Sequence, residues 1–174
     1  MTAAASDRLA EGTLPARDPS EVADRLAIYE LYARYAQAAD LQDGAAYASC
    51  FTADGWTDIS SFGHVDRLRE RGISFVDADG KVRGRENLAA IATKAPGADL
   101  YRHFTINALV TSLSGDRATG QAYFLVVSPD GHIHQFGRYV DVIVRDTDGQ
   151  WRFSERMDIA DYNKGTTLAG RRDG

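Results

Sequence analysis

The chain of 174 residues is 44% apolar, has a net charge of -5 and contains one cysteine, Cys50. A single cysteine excludes an internal disulfide and a multi-cysteine zinc site, and no lysine- and arginine-rich stretch interleaved with aromatics points to nucleic acid as a partner. No apolar run approaches the ~20 residues of a membrane span and the first residues lack a secretory pattern, so a soluble, cytoplasmic protein with no membrane partner is expected.

The length suits one domain over residues 21–160, between an N-terminal tail (1–20) and a C-terminal tail (161–174). The first twenty residues mix charge with alanine, glycine and proline and lack apolar periodicity, so little burial would offset their ordering entropy. From Glu21 the spacing of Ile28, Leu31, Tyr32, Tyr35 and Ala39 predicts one face of a helix, with Ser20 as N-cap. Asp43 and Gly44 predict a break and a new cap for a short second helix that turns Tyr47, Cys50 and Phe51 inward. Thr52 to Gly55 reads as a turn, with a strand starting at Trp56.

Ser61 to Gly72 is polar and irregular, and the Asp79-Gly80 pair reads as a hairpin turn, so residues 61–84 are expected to form a flap. Gly84 to Lys94 sets Leu88, Ile91 and Ala92 on one face of a third helix that Ala95-Pro96-Gly97 would end. From Tyr101 the apolar period becomes two, in four runs separated by SGD, PDG and TDG, which predicts an antiparallel meander. Helices first and sheet last make an α+β fold, with three helices packed on one strongly curved, mostly antiparallel sheet.

This order, with Y-x-x-Y-A-x-A-x-D ending at Asp40, F-T-A-D-G from Phe51, R-H-F-T-I-N from Arg102 and D-G-Q-W-R-F from Asp148, resembles the SnoaL-like branch of the nuclear transport factor 2-like superfamily. Within it the chain looks nearest the cluster of scytalone dehydratase, the bile-acid 7α-dehydratases and hexachlorocyclohexane dehydrochlorinase. The resemblance implies a cone-shaped barrel whose mouth holds a hydrophobic small molecule, in a homodimer or homotrimer. Its catalytic pair maps onto Asp40 and His103, a tyrosine five residues before the aspartate onto Tyr35, and a substrate-holding arginine onto Arg156. The strand tyrosine of scytalone dehydratase would fall near Ile59, which departs from that pattern and speaks against scytalone as substrate.

Each of these residues has an ordinary structural reading beside the functional one. An aspartate near a helix C-terminus is unfavourable by ~0.3–1 kcal/mol if exposed, so Asp40 either stays solvated there or has another partner. His103, on the strand face expected to hold Thr105 and Asn107, is either packed or a base whose imidazolium a nearby carboxylate favours. Tyr32 and Tyr35 fit a buried aromatic stripe, and the Tyr35 hydroxyl can also polarise a substrate carbonyl. Arg156 shares its expected face with Ser154 and Asp158, and either pairs with an aspartate or contacts substrate. Tyr32, Trp56, Asn107, Tyr123 and Arg156 are the expected substrate contacts.

His132 and His134 read as a sheet-edge pair rather than metal ligands, and Asp77 to Gly80 as a turn rather than a calcium loop, because its glycine comes too early. No glycine-rich phosphate loop, G-x-S-x-G elbow or Cys-His signature is present, so no cofactor and no metal are expected. The function expected is a cofactor-independent lyase of dehydratase type acting on an alicyclic or polyketide-like molecule through Asp40 and His103. An isomerase or polyketide cyclase using the same pair is the alternative, and a non-catalytic ligand-binding protein, or a partner like the β subunits of ring-hydroxylating dioxygenases, is the third.

Overall fold

A computed structural model describes residues 18–63, 65–70, 74–93 and 100–164. Most of both expected tails and the Ala95-Pro96-Gly97 stop lie outside the described residues. Helix α1 spans Pro19–Leu41 and α2 spans Gly44–Ser49. Strand β1 (Phe51–Asp58) leads to a 3₁₀ turn (Ser60–Phe62), α3 (Val65–Glu70), β2 (Lys81–Arg83) and α4 (Gly84–Ala92). The meander is β3 (Arg102–Ser114), β4 (Arg117–Val127), β5 (Ile133–Arg145) and β6 (Trp151–Asn163). The sheet order is β2-β1-β6-β5-β4-β3, with β1 parallel to β6 and every other pair antiparallel.

The start of α1 differs from the expected cap. Asp18, not Ser20, is the N-cap: its carboxylate accepts from the Ser20 backbone N–H at 2.8 Å, and Pro19 fills the first helical position, where no N–H is needed. At the other end Gln42 takes the left-handed conformation at φ 58°, and the N–H groups of Gln42 and Asp43 return to the carbonyls of Ala39 and Ala38. Asp43 then caps α2 by accepting from the Ala46 N–H at 2.9 Å. Gly44 is the first residue of α2 rather than a breaker. A Cβ there would press on Thr93 Oγ1 and the Ala89 carbonyl, so the glycine lets α2 lie close to α4.

Thr52 to Gly55 lies inside β1 and not before it. Between Phe51, opposite Phe153, and Trp56, opposite Glu155, the register shifts, so these residues form a bulge in the strand. The segment expected to be irregular contains α3, and the 3₁₀ turn is fastened to β6. Ser61 Oγ donates to the Asp158 carbonyl and accepts from the Ala160 N–H at 2.9 Å, while Asn163 Nδ2 donates to the Phe62 carbonyl at 2.9 Å. β6 runs to Asn163, past the expected domain limit at residue 160.

Ile28, Leu31, Tyr32 and Tyr35 of α1 are buried as their spacing predicts. They pack on the inner face of the meander, where Ala118, Ala122, Phe124 and Val126 alternate with outward residues. The rings of Tyr35 and Phe153 meet edge-on at 5.9 Å, and Phe124 stacks on Tyr139 at 4.8 Å. Such pairs add about 0.5–1.5 kcal/mol each beyond the area they bury. Bulges interrupt β3 near Asn107, β5 at His134 and β6 at Ser154, each re-aiming the residues that follow.

Candidate functional site

Asp40 is the penultimate residue of α1 and His103 the second of β3, so the end of the helix meets the start of the strand. Asp40 Oδ1 accepts the His103 backbone N–H at 2.8 Å and lies 2.8 Å from the ring Nδ1. An ionised carboxylate only accepts, so the ring proton belongs on Nδ1 and the basic lone pair on Nε2. The Asp40 and His103 side chains are 17% and 23% exposed, half-sheltered at the mouth of a cavity. Arg102 Nε stands 4.0 Å from the other Asp40 oxygen, a solvent-facing contact worth little by itself.

The cavity has a volume of about 300 Å³. His103, Gln135 and Asp158 are its polar, non-phenolic wall residues; Tyr35, Tyr47 and Tyr139 contribute phenols, and Ile59, Phe62, Phe124 and Val126 contribute apolar surface. The Tyr47 hydroxyl is 2.9 Å from that of Tyr35 and donates to it, leaving the Tyr35 proton to point elsewhere. Burial pushes Tyr35 up to about 12, so it is a neutral donor, and burial also raises Tyr47 and Tyr139 well above the usual phenol value.

Asp158 sits among these phenols and is buried. Its Oδ1 accepts from Thr57 Oγ1 at 3.1 Å, and no cation lies within ion-pair distance of it among the described residues. Burial pushes its carboxyl up to about 7, against the opposing pull of Arg156 and with help from the negative charge of Asp141. It therefore keeps its proton well above the pH at which an ordinary carboxyl loses it.

Arg156 is also buried, but its charge goes to Asp141. Nε and Nη2 reach the two carboxylate oxygens at 2.8 and 3.0 Å, and the Tyr32 hydroxyl donates to the same carboxylate at 2.6 Å. The guanidinium carbon lies over the rings of Phe153 and Tyr139, 3.8 and 4.0 Å from their centroids. Arg156 shares the inner face with Phe153 and not with Ser154, because the bulge at Ser154 shifts the alternation.

Five expected substrate contacts thus stand away from this cavity wall. Tyr32 and Arg156 are spent on Asp141 inside the core. Asn107 is exposed: it takes the left-handed conformation at φ 53° in the β3 bulge, which breaks the alternation that would have aligned it with His103 and Thr105. Tyr123 points outward because it alternates with Ala122 and Phe124, and with Asn107 it lines a separate hollow on the other face of the sheet. Trp56 is half-buried on β1 with Lys81 Nζ 4.0 Å from its ring centroid.

His132 pairs with Asp130 at 3.1 Å on the surface, and the His134 ring packs on Tyr101 at 4.7 Å. Among the described residues no group of three His, Cys, Asp or Glu side chains is placed to hold a metal ion. No helix of the described residues is long and apolar enough to cross a membrane. Sequence reasoning missed Asp158, Asp141, Tyr47 and Tyr139 as parts of the site. For Asp141, Asp158 and Tyr139 the available signal was a period-two pattern that sets them at positions alternating with outward residues, and for Tyr47 it was the inward face of α2.

The SnoaL-like domain profile matches residues 20–157. Among solved structures, the chain is similar to a Mycobacterium tuberculosis protein of unknown function, with 29% identity and a TM-score of 0.65 over 80% of this chain and 77% of that one. It is similar to ActVI-ORFA of Streptomyces coelicolor, with 20% identity and a TM-score of 0.61 over 80% and 98%. A scytalone dehydratase candidate from Novosphingobium aromaticivorans gives 18% identity and a TM-score of 0.62 over 88% and 98%. The last two likenesses speak for the fold alone. No curated protein matches the chain.

Proposed function

Since the chain belongs to the SnoaL-like domain family, we propose that it is a lyase of dehydratase type, acting without a cofactor on a hydrophobic alicyclic or polyketide-like molecule. The carrying observation is the Asp40–His103 contact of 2.8 Å at the wall of an aromatic cavity of about 300 Å³. His103 Nε2 removes a proton from the carbon next to a carbonyl. Asp40 orients the ring and stabilises the imidazolium. Tyr35, a neutral donor whose hydroxyl already accepts from Tyr47, polarises the carbonyl oxygen. One positioned acid or base contributes ~10²–10⁴-fold. The aromatic walls supply the rest by excluding water and aligning the reacting atoms.

The test is turnover of alicyclic β-hydroxy ketones, followed by loss of water in the product mass. His103→Ala is expected to slow turnover by ~10²–10⁴-fold. Asp40→Asn keeps an oxygen that accepts the His103 N–H, so it leaves the contact and removes only the charge. Full turnover by both folded variants would refute the mechanism. The same proton abstraction also begins an isomerisation or a cyclisation. Solvent-deuterium uptake without loss of water would assign the chain to those reactions instead. The homodimer or homotrimer is supported by an outward sheet face on which Phe104, Ile106, Tyr123 and Met157 are all exposed.

A further inference from the structure

Two buried acids occupy the inner face of neighbouring strands, Asp141 on β5 and Asp158 on β6, and the buried Arg156 pairs with the first of them alone. Asp141 lies directly opposite Arg156 in the strand register and takes both of its hydrogen bonds, together with the Tyr32 hydroxyl. Asp158 is opposite Tyr139, gets one hydrogen bond from Thr57 Oγ1, and is the acid of the two that lines the cavity. The two carboxyl groups stand in different environments: Asp141 is held by the Arg156 guanidinium, whereas burial without an ion pair favours the protonated form of Asp158.

We propose that Asp158 is the acid of the reaction: its carboxyl gives a proton to the oxygen that leaves the substrate at the closed end of the cavity, while His103 removes the C–H proton at the mouth. This rests on the lyase reading above. β3 and β6 are separated by two strands, roughly 14 Å of sheet at about 4.8 Å per strand, yet His103 and Asp158 both line the one cavity of about 300 Å³, a volume suited to a small ring. The substrate class is therefore a ring-bearing molecule with its acidic C–H and its hydroxyl turned to separate walls. The C–H and C–O bonds break and a C=C bond forms. Water leaves, His103 ends as imidazolium and Asp158 as carboxylate, and one proton returned from His103 to Asp158 through solvent restores both.

The groups that face Asp158 are Arg156 on its own strand, Asp141 and Tyr139 on β5, Asp58 on β1, Tyr35 on α1 and Tyr47 on α2, with His103 on the wall formed by β3. Only Arg156 among them is a permanent cation, and Asp141 has already neutralised it. The fastening of Ser61 to the backbone on both sides of residue 159 holds the Asp158 segment of β6 in place.

The experiment compares a cyclic β-hydroxy ketone with its β-chloro counterpart, whose chloride departs as an anion and needs no proton. Asp158→Asn, which keeps the size and a hydrogen-bond donor but cannot transfer a proton, is expected to slow the hydroxy substrate by ~10²-fold or more and to leave the chloro substrate within about tenfold of wild type. His103→Ala slows both. In the free wild-type protein, carbon-13 NMR of labelled aspartate is expected to show a carboxyl titrating near neutrality that Asp158→Asn removes. Equal loss on both substrates, an unaffected hydroxy substrate, or no such titration would overturn the assignment while His103-dependent elimination stood. Failure of wild type to eliminate from either substrate would overturn the lyase reading and this assignment with it.

Discussion

Replacing Asp158 by Asn tests the burial of that carboxyl without any substrate. Folding moves the group from its ordinary 3.8 to about 7, chiefly because burial disfavours the charge. Below about pH 4 the acid is neutral in the folded and unfolded chain alike, and it costs nothing. As pH rises from there to about 7 the unfolded chain releases the proton and the folded chain keeps it, so stability falls by about 1.4 kcal/mol per pH unit. Over roughly three units the loss is up to about 4 kcal/mol, and it is constant above that range. The amide introduced by Asp158→Asn cannot ionise, and it can still meet Thr57 Oγ1. The variant should therefore gain on wild type by up to about 4 kcal/mol between about pH 4 and about pH 8, read by urea denaturation at both. A difference between variant and wild type that stays the same at the two pH values would refute the buried neutral carboxyl.

Asp141→Asn should cost about 3–5 kcal/mol in a thermal or urea melt, because it leaves the buried Arg156 charge without its counter-charge. Gly137→Ala should cost about 1–3 kcal/mol by the same measurement, since its Cβ would press on the Ile159 carbonyl and come within 2.9 Å of Ala160 Cα. Tyr123→Glu, on the outward sheet face, should shift the mass measured by light scattering toward the monomer and leave the cavity residues in place; an unchanged mass would remove that face from the assembly.

The elements were largely legible because two periods carry them. Ile28, Leu31, Tyr32 and Tyr35 mark a helix face, and Gly115, Gly131 and Gly149 sit at positive φ in the three turns that divide the meander. The pairing of Asp40 with His103 was reached through the resemblance, since 63 residues separate them and no local pattern joins them. What failed is equally physical. A bulge adds a residue without changing composition, so the period-two reading ran straight through Asn107 and Ser154: it aligned Asn107 with His103 and Thr105, and Ser154 with Arg156, while the pairing of Arg156 with Asp158 on one face held. The roles of Asp141 and Asp158 depend on which residue of β5 faces which of β6, and that register is set by tertiary packing. Ser20 lost the cap to Asp18 because Pro19 supplies a fixed φ for the first turn.

One oxygen of Asp40 takes both the backbone N–H and the ring of residue 103, so its two duties can be inherited separately. A descendant that exchanges the histidine for another side chain still has the backbone N–H, and the helix stays moored to the strand. The chemistry proposed for this position can vanish in one mutational step while the architecture persists. On the proposed mechanism the route from catalyst to mere binder is therefore short, and it can be travelled back by restoring a single imidazole.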